Sequence, residues 1–127
     1  MVQMACHIRY ASENAIFGQP EATLGLIAGW GGTQHLPRLV GRGKALEILL
    51  TGCNIKADEA YSIGLVDKVV PQAKLNSTVQ KLAHNIIKNA PIAIAATIKA
   101  VNQGEHISLR AGLLKEQEEF SKLFKTN

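Results

Sequence analysis

Cysteine is scarce: Cys6 and Cys53 stand far apart in a chain of 127 residues and form no CxxC pair. With no secretion signal, they read as two buried thiols in a reducing compartment. His7, His35, His84 and His106 show neither an HExxH pattern nor a paired spacing with the cysteines, so no metal site is expected. Aromatic residues make up only 5%, which leaves Ile, Leu, Val and Ala to build the core. No apolar run approaches the roughly 18 residues of a membrane span. The opening Met-Val-Gln-Met-Ala-Cys-His lacks the basic-then-apolar order of a signal peptide, so a cytoplasmic protein with no membrane partner is expected. Asn76-Ser77-Thr78 matches a glycosylation acceptor, which carries no weight without secretion. Excess charge is also slight. Fourteen basic against ten acidic side chains leave +4, spread along the chain. That falls short of a nucleic-acid footprint and suits an anionic small molecule at least as well.

What is present is apolar bulk in a length that suits one domain: 46% hydrophobic and 19% charged residues permit a packed core. Composition shifts near Pro71. Before it glycine is dense; after it glycine occurs only at Gly104 and Gly112, and long helical patterns dominate. Ile8-Arg9-Tyr10 and Ala15-Ile16-Phe17 read as short strands. A glycine-rich loop follows, from Leu24 to Gly32. Thr33 to Leu39 suits a short helix that Pro37 limits to a turn or two. Lys44 to Leu50 reads as a buried helix stopped by Thr51-Gly52, and Ala57 to Ser62 as another ending at Gly64. Leu65 to Val70 reads as a strand closed by Pro71. Leu75, Val79, Leu82, Ile86 and Ile87 then recur at helical steps. Pro91 opens a helix running to Gly104, and a last helix begins near Ser108. Phe124, so near Asn127, looks like part of a helix cut short.

Local chemistry first looks deliberate at Phe17-Gly18-Gln19-Pro20-Glu21. Pro20 fixes its own φ and pushes the preceding residue into extended geometry, so Glu21 is presented on a stiff segment. The glycine loop begins four residues later, where bare backbone amides can approach a ligand closely. A carboxylate beside such amides can hold a water or take a proton from a carbon acid. On local features alone, a surface acid in a turn accounts for Glu21 more readily, because short motifs recur by chance. Gly29-Trp30-Gly31-Gly32 lacks a third glycine at dinucleotide-binding spacing. Gly41-Arg42-Gly43-Lys44 has Ala45 where a phosphate-binding loop needs a hydroxyl. Trp30 suits the lining of a pocket and a patch of core surface equally well.

The run from Phe17 to Gly41, with Ile8-Arg9-Tyr10-Ala11-Ser12, Leu50-Thr51-Gly52, Ala57-Asp58-Glu59-Ala60 and Gly64 to Pro71, resembles the enoyl-CoA hydratase/isomerase (crotonase) family. The resemblance covers essentially the whole chain, with several motifs in the family's order and spacing. It implies an α/β, mostly helical fold: residues 1–71 as the C-terminal part of a spiral ββα core, then 72–127 as a helical oligomerisation region. It implies reversible hydration of trans-2-enoyl-CoA to 3-hydroxyacyl-CoA in fatty-acid or related acyl-CoA metabolism. The coenzyme A thioester is then substrate, and no resident cofactor is expected. Glu21 matches the second of the family's two catalytic glutamates, and Gly29 the glycine whose amide helps hold the catalytic water. Trp30 and Phe120 match positions able to touch the acyl-CoA, Phe120 that of a neighbouring subunit. The implied partners are copies of the same chain in a trimer-based oligomer, or a complementing N-terminal half.

Departures are small: Ala28 replaces a usual proline, Trp30 a usual small or aromatic residue, and His35 a usual arginine. A larger one is length, since the family's chains run to about twice this one. Extending the match backwards sets Met1 at or beside the first catalytic glutamate. Both oxyanion-hole amides then fall before the chain, and the family's last helix beyond Asn127. Loss of even one such donor typically slows acyl chemistry about 10²–10³-fold. The chain alone is therefore expected to be inactive. The alternatives are a double-bond isomerase using Glu21 as its single base, or a non-catalytic assembly fragment.

Overall fold

The computed structural model describes residues 2–124, with side chains from Met4 onward. They form two compact units, divided between Val79 and Gln80.

In the first unit, β1 (Tyr10–Ser12) lies parallel to β4 (Lys68–Val70), with Ala11 opposite Val69. β2 (Ile16–Gly18) lies antiparallel to β3 (Asn54–Lys56), with Phe17 opposite Ile55. A parallel pair needs a long crossover, and here it contains α1 (Gly32–Val40), α2 (Arg42–Thr51) and α3 (Ala57–Ser62). Arg9 fixes the register of β1 on β4. Its backbone N–H donates to Asp67 Oδ2 at 2.6 Å, its Nε to the Leu65 carbonyl at 2.7 Å, and Asp67 N–H returns a bond to the Arg9 carbonyl at 2.7 Å.

The core sits where these elements meet. Leu36, Ile48, Ile55, Leu65 and Val66 are each at most 4% exposed, and Ala45 and Ala60 are fully buried. Ala45 lies on α2 and Ala60 on α3, and each buried Leu or Ile contributes about 1.5–3 kcal/mol. Lys44 joins the same two helices, with Nζ 2.7 Å from Glu59 and 3.0 Å from Glu47. Hydrogen bonds to Glu59 and then Glu47 hold its ammonium well above the ordinary lysine pKa.

Three elements depart from the sequence reading. β1 spans Tyr10–Ser12 rather than Ile8 to Tyr10. α1 is the short helix expected, ended at Gly41 with Pro37 inside it. The Pro37 ring removes the N–H that would bond the Thr33 carbonyl, a defect of about 3 kcal/mol in a free helix. Burial of Leu36, with Leu39 and Val40 packed on the same core, offsets it. β4 is shorter than the apolar run Leu65 to Val70. Both Leu65 and Val66 donate backbone N–H to the Ala60 carbonyl, at 2.8 and 3.2 Å, and are buried in a turn before the strand begins. β3 was not anticipated, because Cys53-Asn54-Ile55-Lys56 has one strongly apolar residue and is a strand only through its pairing with β2.

α4 (Gln72–Ile87) starts directly after Pro71 and runs across the division between the units. The second unit pairs α5 (Pro91–Gly104) with α6 (Leu109–Leu123). Ser108 caps α6 by accepting from Ala111 N–H at 3.3 Å. The helices run antiparallel: a methyl at Gly112 would touch Gly104 Cα at 3.7 Å, and further along Lys99 Nζ meets Glu119 Oε1 at 2.8 Å. Lys122 binds the same oxygen at 2.6 Å. Hydrogen bonds from Lys122 and then Lys99 hold the Glu119 carboxyl below the ordinary carboxylate range. The architecture is thus the mostly helical α/β one that the motifs implied.

Candidate functional site

Proline sets the geometry around Glu21. After β2, Gln19 has φ −132° and ψ 77°, short of the extended geometry expected before a proline, and Pro20 opens a single 3-10 turn, Pro20–Leu24. The fixed φ of Pro20 suits a first turn position, where its missing N–H costs nothing. Thr23 tightens the turn by donating Oγ1–H to the Pro20 carbonyl at 2.7 Å, and Gly25 closes it with φ 71°. Gly52, at the end of α2, backs the turn from behind. It has φ 65°, and a methyl there would stand 2.7 Å from Thr23 Cγ2 and 3.4 Å from Pro20 Cα.

In front of the turn lies a hollow of about 170 Å³. Leu26, Ile27 and Ala28 from the glycine loop wall one side, and Leu46, Leu49 and Leu50 from α2 the other. Its polar lining consists of Gln19, Glu21 and Thr33. Sites that enclose a whole drug-sized ligand run to about 300–1,000 Å³, so this hollow takes only part of one. Glu21 is half-buried in its wall, and Gln19 is only 7% exposed. The hydrogen-bond network puts the Gln19 amide nitrogen toward Glu21, 3.2 Å from both Oε1 and Oε2. A half-buried carboxylate at the edge of an apolar hollow, oriented by a neutral donor, is built to exchange a proton with whatever enters.

Gly29 and Trp30 lie in the bend between Ala28 and α1, beside the hollow's wall in sequence but not among its lining residues. Gly29 is exposed, and a methyl added there would meet only the Ile27 carbonyl, at 3.9 Å. Trp30 is 86% exposed. Phe120 lies in the second unit, on α6, with its ring edge-on to Phe124 at 5.0 Å. Met1, set by the resemblance at or beside the family's first catalytic glutamate, lies outside the described residues. Ala28, where the family usually has proline, is 6% exposed. The residue that motif reading passed over is Gln19. Its only signal in the sequence is its place before Pro20, two residues ahead of Glu21.

Among the described residues, no group of three or more His, Cys, Asp or Glu side chains is placed to hold a metal ion. No helix formed by them is long and apolar enough to cross a membrane.

The chain is 47% identical over 125 residues to the short-chain-enoyl-CoA hydratase of Clostridium acetobutylicum, covering 98% of this chain and 48% of that protein. It is 49% identical over 123 residues to the short-chain-enoyl-CoA hydratase of Clostridioides difficile, covering 97% of this chain and 79% of that sequence. Its structure is similar to the crystal structure of enoyl-CoA hydratase from Bacillus anthracis, with a TM-score of 0.94 and 40% identity over 98% of this chain and 48% of that one. The chain thus spans about half the length of several curated relatives it matches. The Enoyl-CoA hydratase/isomerase family model matches residues 1–127 without remainder, and the chain belongs to that family.

Proposed function

We propose that this chain supplies the Glu21 side of an active site that adds water reversibly across a trans-2-enoyl-CoA thioester, giving the 3-hydroxyacyl-CoA. The observation that carries this is a single half-buried carboxylate, Glu21, oriented by Gln19 at the wall of an apolar hollow, in a chain whose relatives are named enoyl-CoA hydratases. In this reading the acyl chain enters the hollow against Leu26, Ile27 and the α2 leucines. Glu21 then faces the carbon–carbon double bond as general acid and base. The Gly29 amide holds the attacking water, for which the open space around that residue leaves room. Trp30 contacts the body of the acyl-CoA, and Phe120 that bound to a neighbouring copy. The coenzyme A thioester is substrate, with no resident cofactor.

Charge developing on the thioester oxygen needs amide donors, which the resemblance assigns to the family's first half. Turnover therefore needs the family's first half beside these residues, in a homo-oligomer or with a complementing N-terminal half, and the isolated 127 residues do not turn over. Cys6 is exposed and Cys53 half-buried, rather than both buried as expected, and as thiols they suit the cytoplasm. A second reading, a double-bond isomerase, is favoured by one specific fact: Glu21 is the one carboxylate lining the hollow among the described residues. A lone base suffices to carry a proton between two carbons.

The test is co-expression with the first half of the Clostridium acetobutylicum relative, following the loss of conjugated enoyl-thioester absorbance. The complex is expected to turn over, the chain alone not, and Glu21→Gln in the complex to lose about 10²–10⁴-fold. Full rate in the Glu21→Gln complex would overturn the assignment. Turnover of a 3-enoyl-CoA without hydration would select the isomerase.

A further inference from the structure

Net charge is slight but unevenly laid: no Asp or Glu occurs between Asp67 and Glu105. α4 lies wholly in that interval and carries Lys74 and Lys81, and Lys88 follows its last residue, Ile87. All three lysines are exposed, and none makes an ion pair among the described residues. Four lysines elsewhere behave differently. Lys44, Lys99, Lys115 and Lys122 each stand within 3.0 Å of a carboxylate. The spacing of the unpaired three is regular as well. Seven residues of α-helix advance about 10.5 Å and turn within about 20° of two full turns. Lys74 and Lys81 therefore leave α4 along one line, which Lys88 continues at its C-terminal end. Leu75, Leu82 and Ile86 lie about a third of a turn from that line and are half-buried.

We infer that this lysine row is a docking surface for an acidic helix of a partner protein, one with carboxylates at the same seven-residue spacing. Two α-helices share one rise per residue, so each carboxylate of such a partner meets one lysine without either helix bending. The flexible lysine stems take up the small drift of the line from heptad to heptad. Other polyanions fit the row less well. Single-stranded nucleic acid is held by stacking on aromatic rings and by arginine, and α4 has neither; no arginine occurs between Arg42 and Arg110. A helix that lies in a bilayer surface needs a free apolar face, and the apolar stripe of α4 is already half-buried. The row lies on one continuous helix, so helix geometry alone sets its spacing. Nothing in this inference rests on Glu21 or on the hydratase reading.

The test uses a fluorescein-labelled helical peptide of about three heptads, uncharged except for glutamate at every seventh position, and a second peptide with the same residues shuffled. Each is titrated with the 127-residue chain and followed by fluorescence anisotropy. In about 50 mM salt the regular peptide is expected to bind about fivefold or more tightly than the shuffled one, and about 0.5 M salt should release it. Lys74→Gln, Lys81→Gln and Lys88→Gln should each weaken binding about two- to fivefold, as the loss of one exposed ion pair does. The helical circular dichroism of each variant should match the wild type, because these side chains are exposed and glutamine is as good a helix former as lysine. Lys115→Gln, on α6, should leave binding unchanged. Equal affinity for the two peptides, or full binding by the triple lysine variant, would refute the inference. Tighter binding of oligothymidylate or of phosphatidylglycerol vesicles than of the regular peptide would also overturn it, in favour of nucleic acid or a membrane surface.

Discussion

Gly52→Ala is the substitution whose cost divides most cleanly into parts. Gly52 ends α2 at φ 65°, accepting no side chain without backbone strain, and donates its N–H to the Ile48 carbonyl at 3.0 Å. Placing an L-residue in the left-handed region costs about 1–2 kcal/mol. The added methyl would also meet Thr23 Cγ2 at 2.7 Å and Pro20 Cα at 3.4 Å. Overpacking of that kind adds about 1–3 kcal/mol. The expected total is thus about 2–5 kcal/mol, and it falls on the 3-10 turn that carries Glu21. Thr23→Ser removes the offending methyl and keeps the Oγ1 bond to the Pro20 carbonyl. In the double variant the steric part against Thr23 should be recovered while the left-handed strain remains, a coupling of about 1–2 kcal/mol. Hydrogen exchange at the Ile55 and Leu65 amides reads the stability of this unit directly. Additive effects of the two substitutions would refute the steric contact, and an unchanged Gly52→Ala would refute the conformational requirement as well.

The α5–α6 pair should be pH-sensitive through Glu119. Its carboxyl is held below the ordinary value of 4.5 by Lys122 and Lys99, so its contribution is present above about pH 4.5 and lost as pH falls through the lower folded value. Lys122 is held above 10.5 by Glu119, so its contribution is present below that pH and lost as pH rises through the higher folded value. Exchange protection in α5 and α6 is expected to be level between these limits. Glu119→Gln should reduce the acid loss without abolishing it, since Lys115 holds Glu118 low in the same sense; an identical acid limb in the variant would contradict this. Self-association is expected as well. Leu24, Ile27 and Trp30 are 72%, 80% and 86% exposed in one unit, and Phe120 and Phe124 60% and 75% in the other. Light scattering at low micromolar concentration should therefore give a mass above 13.7 kDa, and a clean species at 13.7 kDa would refute it.

Much of the helical architecture was legible in the residues themselves. Pro91 and Gly104 bound α5, Ser108 caps α6, and Ala57 to Ser62 is α3 as read, because caps, fixed φ and periodicity act within a few residues. The turn that carries Glu21 was legible after Pro20, but its local features alone favour a surface acid, and only the motif singles it out. What the sequence could not settle were the features that depend on distant partners. β3 exists because Phe17 lies opposite Ile55, and Pro37 is tolerated because Leu36 is buried by residues far along the chain. The hollow beside Glu21 is walled by leucines of α2, and Leu46, Leu49 and Leu50 carry no mark of that in their spacing. Local conformational preference chose where the helices run, whereas burial and steric room, which join residues dozens of positions apart, decided what Glu21 faces.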